Sequence, residues 1–151
     1  MPPVPPLPRT WSPRFVRVTV TVVGTLLVVA CLGMWFALPA AERALFSGAQ
    51  AATLAGFLLA LVVGLYGLAR TEARADEGGL TIVNVFRTRR LSWPQIVRVV
   101  FRPGDPWVYL DVDDGSTVAV MGIQSADGQR GRTAVRELRA VVSSRTSPEA
   151  G

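Results

Sequence analysis

Hydrophobic positions along this chain change period twice, and each change marks a different kind of element. From Val18 to Ala41 no charged residue appears, and Val18 to Leu38 is almost unbroken in Val, Leu, Ala, Phe and Trp. Pro39 marks a natural end to the run. After Glu42 and Arg43 a second uncharged stretch runs from Ala44 to Ala69, densest in apolar side chains from Leu54 to Leu68. At about 1.5 Å per residue, roughly 20 residues span the ~30 Å hydrocarbon layer of a bilayer. The pattern predicts a transmembrane hairpin over residues 16–69, with helices at about 18–38 and 50–69.

Beyond the second run the period becomes two. Val97, Val99 and Phe101 alternate with Arg98, Val100 and Arg102, and Val108, Leu110 and Val112 alternate with Tyr109, Asp111 and Asp113. Val118 and Val120 follow the same rule. These are half-buried antiparallel strands. Turn residues separate them: Gly78-Gly79, then Pro103-Gly104-Asp105-Pro106, then Asp114-Gly115. The last reads as a type I′ hairpin, which needs positive φ at both central positions. The period then changes to that of a helix. Ala134, Val135, Leu138, Val141 and Val142 share one stripe, and Arg132, Arg136, Glu137 and Arg139 face away. The fold class is therefore an α+β membrane protein: two transmembrane helices, then a small antiparallel sheet domain over residues 72–145 closed by a C-terminal helix.

The ends read differently. Met1 to Pro8 has prolines at 2, 3, 5, 6 and 8, which favour extended polyproline II. Residues 1–15 are expected to be a disordered lead-in, with an SH3-like partner the functional alternative. Residues 146–151 are expected to be a disordered tail.

Composition narrows the chemistry. The chain has 151 residues, is 50% hydrophobic and carries a net charge of +5, with no His. All sixteen basic residues are Arg, so a P-loop lysine and every imidazole mechanism are excluded. Cys31 stands alone in an apolar run, which excludes an internal disulfide and structural zinc. A lipoprotein cleavage box ending at Cys31 is the alternative to apolar filler, but the apolar run continues past it. The basic surplus lies mainly before the first helix and does not form a nucleic-acid-binding face. Arg9, Arg14 and Arg17 precede the first helix and Arg70 and Arg74 follow the second, while the loop balances Arg43 against Glu42. The positive-inside rule then places both ends in the cytoplasm and the loop outside the cell membrane. Trp11, Phe15 and Tyr66 are expected as interfacial anchors.

Within the second helix, Gly48, Ala52, Gly56, Ala60 and Gly64 form a ridge of small residues at a spacing of four. Small residues let helix backbones approach in lipid. The ridge is expected to pack on the first helix, or else on another copy of the chain as a homo-oligomer.

The stretch Glu77-Gly78-Gly79-Leu80, followed by Arg89-Arg90-Leu91-Ser92-Trp93-Pro94-Gln95-Ile96, resembles the bacterial PH domains of the low molecular weight protein antigen 6 family. The shared features are a Gly-Leu strand start, a basic strand and a Trp-x-x-Ile turn. Asp114-Gly115, Ile123-Gln124 and the helix around Leu138 follow in the expected order. The resemblance covers about Ala73 to Val142 and implies a PH-like domain beside a membrane, with no catalytic residues.

Asp111, Asp113 and Asp114 invite a calcium reading, but Gly115 stands where the loop pattern needs its third oxygen ligand. They read as a solvated hairpin tip. Trp93 and Trp107 read as packing. Arg87, Arg89 and Arg90 are the candidate contact with anionic lipid, since Arg forks suit phosphate oxygens. No enzyme activity, metal or cofactor is expected. Two functions remain: docking of a protein or peptide partner at the inner leaflet, or sensing of anionic headgroups by the basic strand. An accessory subunit assembling through the second helix is the third.

Overall fold

The computed structural model describes residues 4–146, so residues 147–151 of the expected 146–151 tail and the first three residues lie outside it, while Thr146 ends the last helix. In chain order the elements are β1 (Arg9–Trp11), α1 (Arg14–Ala37), α2 (Ala40–Arg43), α3 (Gly48–Ala69), β2 (Glu72–Asp76), β3 (Gly79–Asn84), β4 (Arg87–Ser92), β5 (Ile96–Val100), β6 (Trp107–Val112), β7 (Thr117–Gln124) and α4 (Gln129–Thr146). Strands β1 to β4 form one antiparallel sheet in that order, and β5 to β7 form a second.

The N-terminal lead-in is the first correction. Residues 9–11 form an edge strand, with Arg9 opposite Ala75, Thr10 opposite Arg74 and Trp11 opposite Ala73. Trp11 is 5% exposed within the domain core and is no interfacial anchor. Its indole N–H reaches the Glu137 carboxylate at 2.8 Å, so the ring is buried without stranding its donor. The helix pair is thus inserted into the sheet domain, between its first and second strands. No tether links them: Arg70 caps α3, and β2 begins two residues later.

The two sheets curl onto one core. Ala73, Leu80, Ile82, Leu91, Ile96, Leu110, Val120 and Ile123 are almost fully buried there. The Asn84 side chain joins the sheets, donating to the Ala119 carbonyl at 2.6 Å and accepting from the Met121 N–H at 3.1 Å. Helix α4 closes the open end with Val135, Leu138, Val141 and Val142, the stripe read from the sequence.

Helices α1 and α3 run 24 and 22 residues, about 36 and 33 Å at 1.5 Å per residue. Both are long and apolar enough to cross a membrane. Large apolar side chains such as Leu26, Met34, Phe36, Phe57 and Leu59 point outward along them. Ser47 and Gln50 build a capping box at the start of α3, which satisfies otherwise orphaned N–H groups. Trp35 and Phe46 meet edge to face at 5.5 Å and close the loop end.

The helices do not meet through the small-residue ridge. A Cβ at Gly48, Gly56 or Gly64 would meet nothing within 4 Å, and Ala52 and Ala60 are exposed. Contact instead centres on Gly24 of α1, where a Cβ would sit 3.0 Å from Leu65 Cδ1. A side chain as large as Leu65 needs a notch opposite it, and Gly24 provides one. The ridge therefore faces away from α1.

Candidate functional site at the junction of sheet and helix pair

Three sets of contacts fix the sheet domain on the helix pair, and each arises from a local backbone need. The last carbonyls of α3 lack intrahelical partners. Arg17 of α1 supplies one: its Nε donates to the Ala69 carbonyl at 2.8 Å, and its Nη2 reaches the Thr71 carbonyl, just beyond α3, at 3.5 Å. The same guanidinium lies 3.6 Å from Glu72, which also pairs with Arg74 at 2.6 Å. At the start of α1, the Phe15 N–H donates to Asp127 Oδ1 at 2.8 Å. An acid there also favours the positive end of the helix dipole. On the third side, Val85 and Phe86 in the β3–β4 turn press on Gly67 of α3, where a Cβ would lie 2.8 Å from both side chains. Val85 holds a φ of 48°, in the left-handed region that β-branched residues avoid. Phe86 is 68% exposed beside it.

Side chains alternate along β4. Arg87 and Arg89 stand opposite Asn84 and Ile82, and Arg90 stands opposite Thr81. The three do not form one cluster. Arg90 pairs with Asp76 at 2.9 Å on one face, and Arg89 pairs with Asp114 at 3.4 Å on the other. Both pairs are half-exposed, a setting in which such bridges contribute only about 0–1 kcal/mol. Arg87 has no partner among the described residues, and it sits next to Phe86 at the helix-pair end of the strand.

The Trp-x-x-Ile turn has a structural task. Trp93 is 4% exposed, and its indole N–H reaches the carbonyls of Asp76 and Glu77 at 3.1 and 3.2 Å. It thereby holds the β2–β3 turn, in which Asp76 Oδ1 accepts from the N–H groups of Gly78 and Gly79. Gly79 is required by close approach, since a Cβ there would lie 2.1 Å from the Leu91 carbonyl oxygen. Trp107 packs half-buried against Tyr109 at 6.5 Å.

The three clustered aspartates also separate. Asp111 pairs with Arg98 at 2.8 Å. Asp114 accepts from the Ser116 N–H at 2.8 Å, and hydrogen bonding from Ser116, with Arg89 nearby, holds its carboxyl below the usual carboxylate range. The hairpin here is not type I′. Only Gly115 has positive φ, at 79°, and the Gly115 N–H returns to the Val112 carbonyl at 2.9 Å. Val112 in turn donates to the Ser116 carbonyl at 2.9 Å, the geometry of a longer hairpin ending in a left-handed glycine.

Sequence reasoning missed Arg17, Phe86 and Asp127 as junction residues, and Asn84 as the link between the sheets. Nothing in their local pattern marks them, because each meets a partner distant along the chain.

Residues 70–140 match the family model described as a bacterial PH domain. Together with the two curled sheets and closing helix, the match gives this segment a PH-like fold similar to that family; the two apolar helices beside it fit a membrane-anchored domain. The family is the coarser one, and the match does not carry the narrower antigen 6 name. Over 87 residues the chain is 31% identical to an uncharacterized protein of Mycobacterium tuberculosis, and equally to one of Mycobacterium bovis. The aligned part is 58% of this chain and 55% of each relative, so the chain spans about half the length of the curated relatives it matches. No solved structure matches significantly.

Proposed function

We propose that this is a non-enzymatic, integral protein of the cell membrane that holds a PH-like domain against the cytoplasmic leaflet and docks a protein or peptide partner there. The observation that carries the reading is the free side of β5. Among the described residues this strand pairs with β6 alone, and it leaves Val97 65% exposed beside Arg98. An unpaired edge of this kind accepts an added strand, with main-chain hydrogen bonds giving affinity and alternate side chains giving selectivity. The junction contacts support a docking role, since they hold that edge at a fixed height above the helix pair.

A photoreactive residue at Val97 tests this in native membranes. Crosslinks to a discrete protein from Val97, and none from the same photoreactive residue placed at exposed Arg139 on α4, are the expected result. Crosslinks to lipid alone would overturn the reading. A second reading, contact with anionic headgroups, is favoured by Arg87, which is free of acids beside an exposed Phe86. It draws less from Arg89 and Arg90, whose charges are already met by Asp114 and Asp76.

A further inference from the structure

A polar cleft of about 540 Å³ opens where the strand before α1 passes the first turns of α4. Trp11, Ile123 and Ala134 contribute its apolar wall, and Arg9, Arg14, Asp127, Arg130 and Glu137 its charges. These charges are not equivalent. Arg9 and Glu137 are joined by a forked pair, with bonds of 2.9 to 3.1 Å, and the Glu137 carboxylate also receives the Trp11 indole. Asp127 is engaged by the Phe15 N–H at the start of α1. Arg14 and Arg130 have no partner among the described residues, although both line the same space. Two unpaired guanidinium forks facing one cleft suit a ligand with several anionic oxygens.

Depth narrows the source of that ligand. The uncharged run of α1 begins at Val18, four residues after Arg14, which is about 6 Å along a helix. The polar headgroup layer on each side of a bilayer is roughly 5–8 Å thick. Arg14 therefore stands at headgroup depth once α1 spans. We propose that this cleft binds the phosphate of an anionic phospholipid, gripped between Arg14 and Arg130. The proposal rests on the membrane-anchored part of the reading above and not on partner docking at β5. It also places the lipid site away from the basic strand, on the opposite sheet edge.

Native mass spectrometry of the full chain, released from micelles containing equal phosphatidylglycerol and phosphatidylcholine, provides the test. One phosphatidylglycerol should be retained about tenfold over phosphatidylcholine, given the usual gain per basic residue near anionic lipid. Arg14→Gln with Arg130→Gln should remove that preference, the paired Lys variants should keep part of it, and Arg139→Gln, on the same helix α4 but outside the cleft lining, should leave it intact. Near-UV circular dichroism checks that each variant is folded. Equal retention of both lipids, or a preference that survives the double Gln change, would overturn the proposal. Displacement of the lipid by soluble glycerol phosphate at equal concentration would overturn the lipid source in favour of a free phosphate ester. Failure of membrane anchoring would show separately, as a chain released from membranes by alkaline carbonate.

Discussion

Trp93 and Gly79 show how far single residues can be read from sequence. The Gly-Leu and Trp-x-x-Ile signals mark one assembly, in which Trp93 holds the turn that Gly79 allows to pass under the Leu91 carbonyl. The residues were legible; their shared purpose was not, because it depends on which strands become neighbours. Gly79→Ala should cost about 2–3 kcal/mol or prevent folding, since the obstacle is backbone that cannot turn aside. Chemical denaturation compared with Gly104→Ala, which carries the strain of a φ of 94° but whose added methyl meets open space, separates the steric part from the backbone part. The Asp114 hairpin yields a charge prediction. Its carboxyl is depressed in the folded chain, so the linked stability is present above the ordinary carboxylate pKa and lost as pH falls through the folded value. Ser116→Ala should raise the Asp114 pKa toward its ordinary value in a carbon-detected NMR titration. An unchanged midpoint would show that the Ser116 hydroxyl is not the main cause and would leave the Ser116 N–H, which Ala retains, as the principal donor.

Among elements, β6, β7 and the stripe of α4 followed from periodicity, because half-buried elements repeat their environment every two or 3.6 residues. Strand β5 followed only in part, since a bulge between Ile96 and Arg98 turns Val97 out of the buried face expected for it. Strand β1 did not, since three residues after a proline tract contain no repeat. Its contribution depends on β2, some 60 positions later in the chain. A domain beginning at residue 72 lacks Trp11 and leaves β2 as an edge. In the full chain, Trp11→Ala should destabilise by about 3–5 kcal/mol, the usual cost of deleting a buried indole. A loss near zero would mean that β1 is dispensable. Helix packing was also only half legible. Small residues at a spacing of four were visible, but the notch opposite Leu65 is the isolated Gly24. Gly24→Leu should separate α1 from α3 and lower thermal stability in detergent, whereas Gly56→Leu should leave the folded chain intact. If Gly56→Leu instead shifts the oligomeric state on native gels, the ridge is an interface between copies.

At the scale of the whole molecule, pairing of β1 with β2 turns topology into a single choice. Strand β1 precedes the helix pair and β2 follows it, yet their backbones are hydrogen-bonded, so both must lie on one side of any bilayer the pair crosses. Two helices satisfy this, and α1 and α3 have the required length. What remains is which side, and the positive-inside rule turns the arginines into a prediction. Arg9, Arg14 and Arg17 flank one end of the pair and Arg70 and Arg74 the same end, while Arg43 at the far end is offset by Glu42. The expected arrangement has both termini and the PH-like domain in the cytoplasm. A reporter active only in the cytoplasm should work when fused ahead of Arg9 or after Thr146, and fail when inserted between Leu45 and Ser47. A reporter that requires export should show the reverse. Exchanging Arg14 and Arg17 for Gln while adding arginines beside Leu45 should weaken or invert the pattern, moving both termini together. One terminus on each side would contradict the β1–β2 pairing itself, and so would test the fold rather than the charge rule.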